Sequence, residues 1–122
     1  MAEGGQHGTV LLVEDDEALR LLCRTVLQLE GYDVVEAQTQ REVDDALAES
    51  DMRVALLDVH LGDESGIDIA RSLRRSHPAL PIVLFSGSAQ LYGSAAEELA
   101  AAIVSKPFEV DELLEVVNRV SA

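Results

Sequence analysis

The stretch TVLLVEDDEALRLLCRTVLQLEGYDVVEA, residues 9–37, changes its hydrophobic period twice, and those changes decide the fold. Thr9 to Val13 is an apolar run of the kind buried on both faces of a parallel sheet. From Glu17 to Glu30 the pattern turns helical, with Leu19, Leu22, Cys23 and Val26 at i, i+3, i+4 and i+7, and Gly31 stops it. DVVEA, residues 33–37, then returns to an extended pattern, less continuously apolar than the first strand. Two parallel strands need such a helical crossover between them. At the first junction stand three acids in a row, Glu14, Asp15 and Asp16.

The same alternation continues along the chain. VALLD (54–58), PIVLF (81–85) and AIVS (102–105) read as further strands. TQRE sets Thr39 and Glu42 at capping-box spacing to open a second helix. SGID repeats that spacing with Ser65 and Asp68, and this third helix ends before His77-Pro78. SAAE (Ser94, Glu97) opens a fourth helix, and EVDELLEVVNRV forms a fifth with Val110, Leu113, Leu114 and Val117 on one face. Five β-α units predict an α/β domain, a doubly wound (βα)5 fold on a central five-stranded parallel sheet with right-handed crossovers.

At 122 residues the chain fits one domain, expected over residues 9–122. The Gly-rich MAEGGQHG, residues 1–8, is expected to be a flexible lead-in and lacks the features of a signal peptide. A net charge of -14 argues against binding to nucleic acid or to an anionic membrane and favours basic proteins or cations as partners. The single Cys23 cannot form an internal disulfide, and no run is long enough for a membrane helix, so a cytoplasmic location is expected. Cys23 lies on the apolar stripe and is expected in the core, with His7 and His77 in solvent-facing loops.

In a doubly wound sheet, ligands bind beyond the carboxyl ends of the strands, where the strand order reverses. Those ends carry Glu14 and Asp15, then Asp58, Ser86 and Lys106. Alone, an acidic run before a helix is most simply a solvated helix start with Asp15 or Asp16 as its cap. Three converging carboxylates are different. Like charges about 4 Å apart repel by about 4 kcal/mol at an effective dielectric near 20, so the trio needs a counterion or a proton. Oxygen-only donors suit Mg2+, and the lack of a Cys or His pair argues against zinc. With two acids on the cation, Asp58 is left as a nucleophile for phosphoryl transfer, and Ser86 and Lys106 can hydrogen-bond phosphoryl oxygens.

Taken together, LLVEDDEALR, LLDVHLGDESG, PIVLFSG and SKPF resemble, in order and nearly in spacing, the receiver domain of the two-component response-regulator family, from about Thr9 to Val120. The resemblance implies the flavodoxin-like strand order 2-1-3-4-5. It implies that Asp15 ligates Mg2+ directly, with Glu14 its acidic partner, and that Asp58 is both phosphoacceptor and metal ligand. His60 matches the position that ligates through its backbone carbonyl, Ser86 the switch hydroxyl and Lys106 the phosphoryl-contacting lysine. Lys106-Pro107 matches a cis peptide, and Asp16 is left to cap the helix. Three departures stand out: Gly62 where many relatives have proline, Ile103 in place of the switch aromatic, and a shorter span between Ser86 and Lys106. Gly62 is expected to loosen its loop. Tyr92 is expected to fill a local gap before the fourth helix. Leu21 falls off the first helix's stripe and is a candidate docking contact for a phosphodonor's helix.

The resulting expectation is a signalling phosphoacceptor rather than a turnover enzyme. A histidine kinase or histidine phosphotransfer protein is its expected donor and a downstream protein its expected target. A non-phosphorylated interaction module of the same fold is the alternative, though it would more naturally have lost Asp58 or Lys106. An aspartyl-phosphate phosphohydrolase would want a second acid where His60 stands, and a nucleotide-binding domain would want a Gly-rich loop where VEDDEAL offers acids.

Overall fold

Strands β1 (Thr9–Val13) and β2 (Asp33–Ala37) run parallel, in register from Thr9 opposite Asp33 to Val13 opposite Ala37, with α1 (Glu17–Leu29) crossing between them. The structure is a computed structural model describing residues 7–62, 64–87 and 98–122. The chain continues through α2 (Gln40–Glu49), β3 (Val54–Asp58) and a short antiparallel hairpin of β4 (His60–Leu61) and β5 (Glu64–Ser65). It then forms α3 (Gly66–Ser76), β6 (Ile82–Ser86), β7 (Ala102–Ser105) and α4 (Val110–Ser121). The sheet order is β2-β1-β3-β6-β7 with every pairing parallel, which is the expected 2-1-3-4-5 once the hairpin is set aside. Beyond β1 the chain winds first to one side and then to the other, so the carboxyl ends of β1 and β3 flank the crevice.

The unbroken apolar runs are explained by two cores, one on each face of the sheet. Val10, Leu12, Val54, Leu56, Val83 and Phe85 pack under α1 and α4, against Cys23, Leu27, Leu113 and Val117. Their alternates Leu11, Val13, Ala55, Leu57, Ile82 and Leu84 pack under α2 and α3, against Val43, Ala46, Ile69 and Leu73. Each fully buried Leu, Ile or Val side chain contributes about 1.5–3 kcal/mol, so both parities of a strand must be apolar for both faces to be covered.

The expected caps form. Asp16 Oδ1 accepts from the Leu19 N–H at 3.0 Å, and Ser65 Oγ from the Asp68 N–H at 3.4 Å. Thr39 Oγ1 accepts from the Glu42 N–H at 3.1 Å, but the Glu42 carboxylate reaches the Gln38 N–H at 2.7 Å, one residue before the cap. The expected start of a fourth helix at Ser94, with Glu97, and the loop containing Tyr92 lie outside the described residues. His7 and Gly8 are both held: the His7 N–H donates to the Gly31 carbonyl and the Asp33 N–H to the Gly8 carbonyl.

Two local expectations are corrected. Leu22 stands 43% exposed beside Leu21 at 53%, and α1 buries Cys23 and Leu27 instead. Cys23 and Leu27 are four residues apart and stack on one face, whereas Leu22 is turned about 100° from Cys23 around the helix. The fourth sheet strand runs Ile82–Ser86, one residue later than expected, because Pro81 has no N–H to give the ladder. Gly62, between β4 and β5, adopts φ +58°, a left-handed conformation that favours glycine. Among the described residues no helix is long and apolar enough to cross a membrane.

Candidate functional site

The site is built where β1 and β3 end. Glu14, the first residue after β1, is fully buried, and its Oε2 accepts from the Asp16 N–H at 3.0 Å. Asp15 is exposed. Asp58 closes β3 and is 6% exposed, with its Oδ1 accepting from the His60 N–H at 3.1 Å. Carboxylate oxygens of Glu14, Asp15 and Asp58 lie within 4.8 Å of one another.

Lys106 answers part of this charge. Its Nζ donates to Asp58 Oδ2 at 2.9 Å and to Glu14 Oε1 at 3.3 Å. Backbone geometry carries it there: the Lys106 N–H donates to the Ser86 carbonyl at 2.9 Å, extending the β6–β7 ladder by one step, and the Lys106-Pro107 peptide is cis. Ser86 is buried at the end of β6. Phe85 and Phe108 stack with ring centroids 5.2 Å apart, and Lys106 Nζ lies 6.0 Å from the Phe85 ring. The structure thus brings Glu14, Asp15, Asp58 and Lys106 together, with the Ser86 backbone adjacent. His60 touches Asp58 through its own N–H, while its side chain is exposed. Ile103 packs half-buried with Leu99 and Ala100 against the α2/α3-side core.

Protonation reports the imbalance. Burial pushes the Glu14 carboxyl up to about 7, helped by the hydrogen bond with Asp58 and that residue's charge, and opposed by the Asp16 N–H and Lys106. Burial works to lower the Lys106 ammonium's pKa, but the hydrogen bond to Asp58 and the charges of Glu14 and Asp58 outweigh it, so the net movement is upward. Glu14 and Asp58 therefore share the Lys106 ammonium, and burial with Asp58 nearby disfavours the charge on Glu14. An all-oxygen set with excess negative charge fits a hard divalent cation.

Some contributors are not apparent from the motifs. Gly66 opens α3 against the backbone of Asp58: a Cβ there would meet the Asp58 carbonyl oxygen at 2.0 Å. Its N–H donates to the Val59 carbonyl at 2.8 Å, tying the helix start to the chain just beyond the acid. Gly62 lies over Asp15, with Asp15 Oδ2 3.5 Å from where a Cβ would sit. Arg20 on α1 donates from Nη1 to the Glu14 carbonyl at 3.0 Å. The sequence signal for Gly66 is only its place after the Ser65 cap, and the signal for Arg20 is an arginine one helical turn past Asp16.

Comparison with known proteins agrees with this geometry. Residues 10–118 match the response regulator receiver domain model. The transcriptional regulatory protein YkoG of Bacillus subtilis is 33% identical over 111 residues, which cover 89% of this chain and 49% of that protein. The cell cycle transcriptional regulator CtrA of Caulobacter vibrioides is 34% identical over 111 residues, covering 86% of this chain and 46% of that protein. The chain therefore spans about half the length of these curated relatives. The receiver domain of NtrX from Brucella abortus superposes with a TM-score of 0.85 at 28% identity, covering 92% of this chain and 97% of that domain. The doubly wound sheet, the acids and lysine gathered at its carboxyl edge and the family match over residues 10–118 lead to one conclusion: this chain belongs to the response regulator receiver domains of two-component signalling.

Proposed function

We propose that the chain is a Mg2+-dependent phosphoacceptor in which Asp58 takes a phosphoryl group from a phosphohistidine. The observation that carries this reading is the meeting of Asp58 Oδ2 with Lys106 Nζ at 2.9 Å beside the carboxylates of Glu14 and Asp15. Asp15, Asp58 and the His60 backbone carbonyl would hold the ion, with Glu14 behind them. When bound, Mg2+ supplies charge neutralisation for the carboxylates and the incoming phosphoryl oxygens. An Asp58 oxygen attacks phosphorus in line; the P–O bond forms as the P–N bond breaks, and the imidazole leaves with the nitrogen lone pair. Lys106 then pairs with a phosphoryl oxygen, and the Ser86 hydroxyl donates to another.

Its role is signalling. A phosphoryl group adds close to two negative charges at the end of β3, which draws Ser86 and Lys106 inward and shifts the surface carried by β7 and α4. The donor is a histidine kinase or histidine phosphotransfer protein. The exposed Leu22, on a cleft of about 400 Å3 lined also by Leu19, Lys106, Pro107 and Phe108, supports docking of the donor next to the acceptor, and Leu21 is exposed on the same helix. YkoG and CtrA are transcriptional regulators, so a nucleic-acid-binding partner domain is a compatible setting, while the charge of -14 keeps the receiver itself off a phosphate backbone.

Intact mass after incubation with acetyl phosphate tests the reading. A single phosphoryl adduct that requires Mg2+ and disappears in Asp58→Asn is expected. An adduct of equal yield in Asp58→Asn, or no adduct together with no Mg2+ binding in a calorimetric titration, would overturn it.

A further inference from the structure

We infer that Arg20 is a positioning residue for the cation site, acting through the backbone of the acidic turn; the inference rests on the Mg2+-dependent reading above. Three of the hydrogen bonds that anchor the turn between β1 and α1 come from side chains of the turn itself or of α1. Glu14 Oε2 holds the Asp16 N–H and Asp16 Oδ1 holds the Leu19 N–H, both local contacts. The third comes from a full helical turn away, where Arg20 Nη1 donates to the Glu14 carbonyl at 3.0 Å. That carbonyl belongs to the peptide plane joining Glu14 to Asp15. Its orientation sets the direction in which Asp15 leaves the chain, and Asp15 is the one exposed carboxylate of the three.

Arg20 is itself held. Its Nε lies 3.4 Å from Glu36 Oε1, and Arg24, one helical turn on, sets Nη1 2.8 Å from Glu36 Oε2. Glu36 stands opposite Leu12 in the β1–β2 register, on the face that packs under α1. An acid at such a position forgoes apolar burial. Here it forks two arginines of one helix face, and the Arg20 side chain is only 15% exposed. The guanidinium can serve both partners because its donors point in fixed, divergent directions. The chain of contacts runs from β2 through Glu36 and Arg20 to the Glu14 carbonyl, and so to Asp15.

A positional role and a plain charge role differ in sign. Removing a cation near an acidic site strengthens Mg2+ binding through charge alone. Removing a group that orients a ligand weakens it, by about 10–100-fold for supporting contacts of metal sites. The test is a calorimetric Mg2+ titration of the 122-residue chain, together with melting temperatures with and without Mg2+. Arg20→Met is expected to raise the Mg2+ Kd about tenfold or more and to shrink the stabilisation conferred by Mg2+. Arg20→Lys, which keeps one donor, is expected to recover part of the affinity, and Glu36→Gln to show a smaller loss in the same direction. A Kd in Arg20→Met equal to or tighter than wild type overturns the inference, as does a melting temperature lowered equally with and without Mg2+. If Arg20→Met does not fold, wild-type affinity in both Arg20→Lys and Glu36→Gln overturns it. A wild-type chain that binds no Mg2+ overturns the metal reading itself, a result distinct from these.

Discussion

Replacing Glu14 with glutamine in the metal-free protein should change how stability depends on pH, by an amount that follows from the site's burial. Glu14 is fully buried, and its carboxyl is raised from the ordinary 4.5 to about 7, chiefly by burial and then by Asp58. The folded state therefore binds the Glu14 proton more tightly than the unfolded chain does. The stability this confers is fully present below about pH 4.5 and is lost as pH rises through about 7. At about 1.4 kcal/mol per pH unit, the gap corresponds to about 3 kcal/mol. Glutamine keeps the shape and an N–H donor for Asp58 but has no proton to lose. The difference in unfolding free energy, variant minus wild type, should therefore grow by about 3 kcal/mol between pH 4.5 and 8, roughly 12 °C in melting temperature for a chain of this size. Urea unfolding in EDTA across that range, fitted with a common m-value, measures it. A difference that stays flat to within about 1 kcal/mol, or that shrinks with rising pH, would refute the claim that burial holds a proton on Glu14.

Other perturbations test the supporting structure. Gly66→Ala should destabilise by about 3 kcal/mol in thermal or urea melts, because its Cβ would fall 2.0 Å from the Asp58 carbonyl oxygen and α3 would have to move. Tyr32→Phe should cost about 1–2 kcal/mol by the same assay, since the buried hydroxyl bonds Asn118 Oδ1 at 2.5 Å and Ser121 Oγ at 3.0 Å, leaving both short of a partner. Cys23 is buried, and desolvation pushes its thiol up to about 12, so a thiol reagent at pH 8 should label the native protein only as fast as it opens and should label it at once in urea.

Much of the topology was legible because it rests on local periodicity. TVLLV, VALLD and AIVS read as strands from their nearly continuous apolar runs, and the helical stripes between them supplied the crossovers. Strand ends follow directly from strand assignments, so Glu14, Asp15, Asp58, Ser86 and Lys106 fall on one edge from the pattern alone. The local pattern left Asp15 and Asp16 both as candidate caps, and it was the resemblance that left the cap to Asp16, which accepts from the Leu19 N–H. The rotation of α1 was harder to read. Leu19, Leu22, Cys23 and Val26 satisfy a helical stripe, yet contact with the sheet selects Cys23 and Leu27 and leaves Leu22 outside.

What the sequence by itself determined is the class of fold, the edge on which the chemistry sits and the kinds of groups that meet there, because these follow from spacings of two to four residues. Only the tertiary structure decided that Glu14 is buried while Asp15 is exposed, that Lys106 bridges Glu14 and Asp58 across 92 and 48 residues of chain, and that Gly62 takes a left-handed conformation between β4 and β5. It alone joined Glu36, Arg20 and the Glu14 carbonyl. Burial, counterion distance and the aim of a peptide plane are set by elements packed from distant parts of the chain, and no local pattern encodes them.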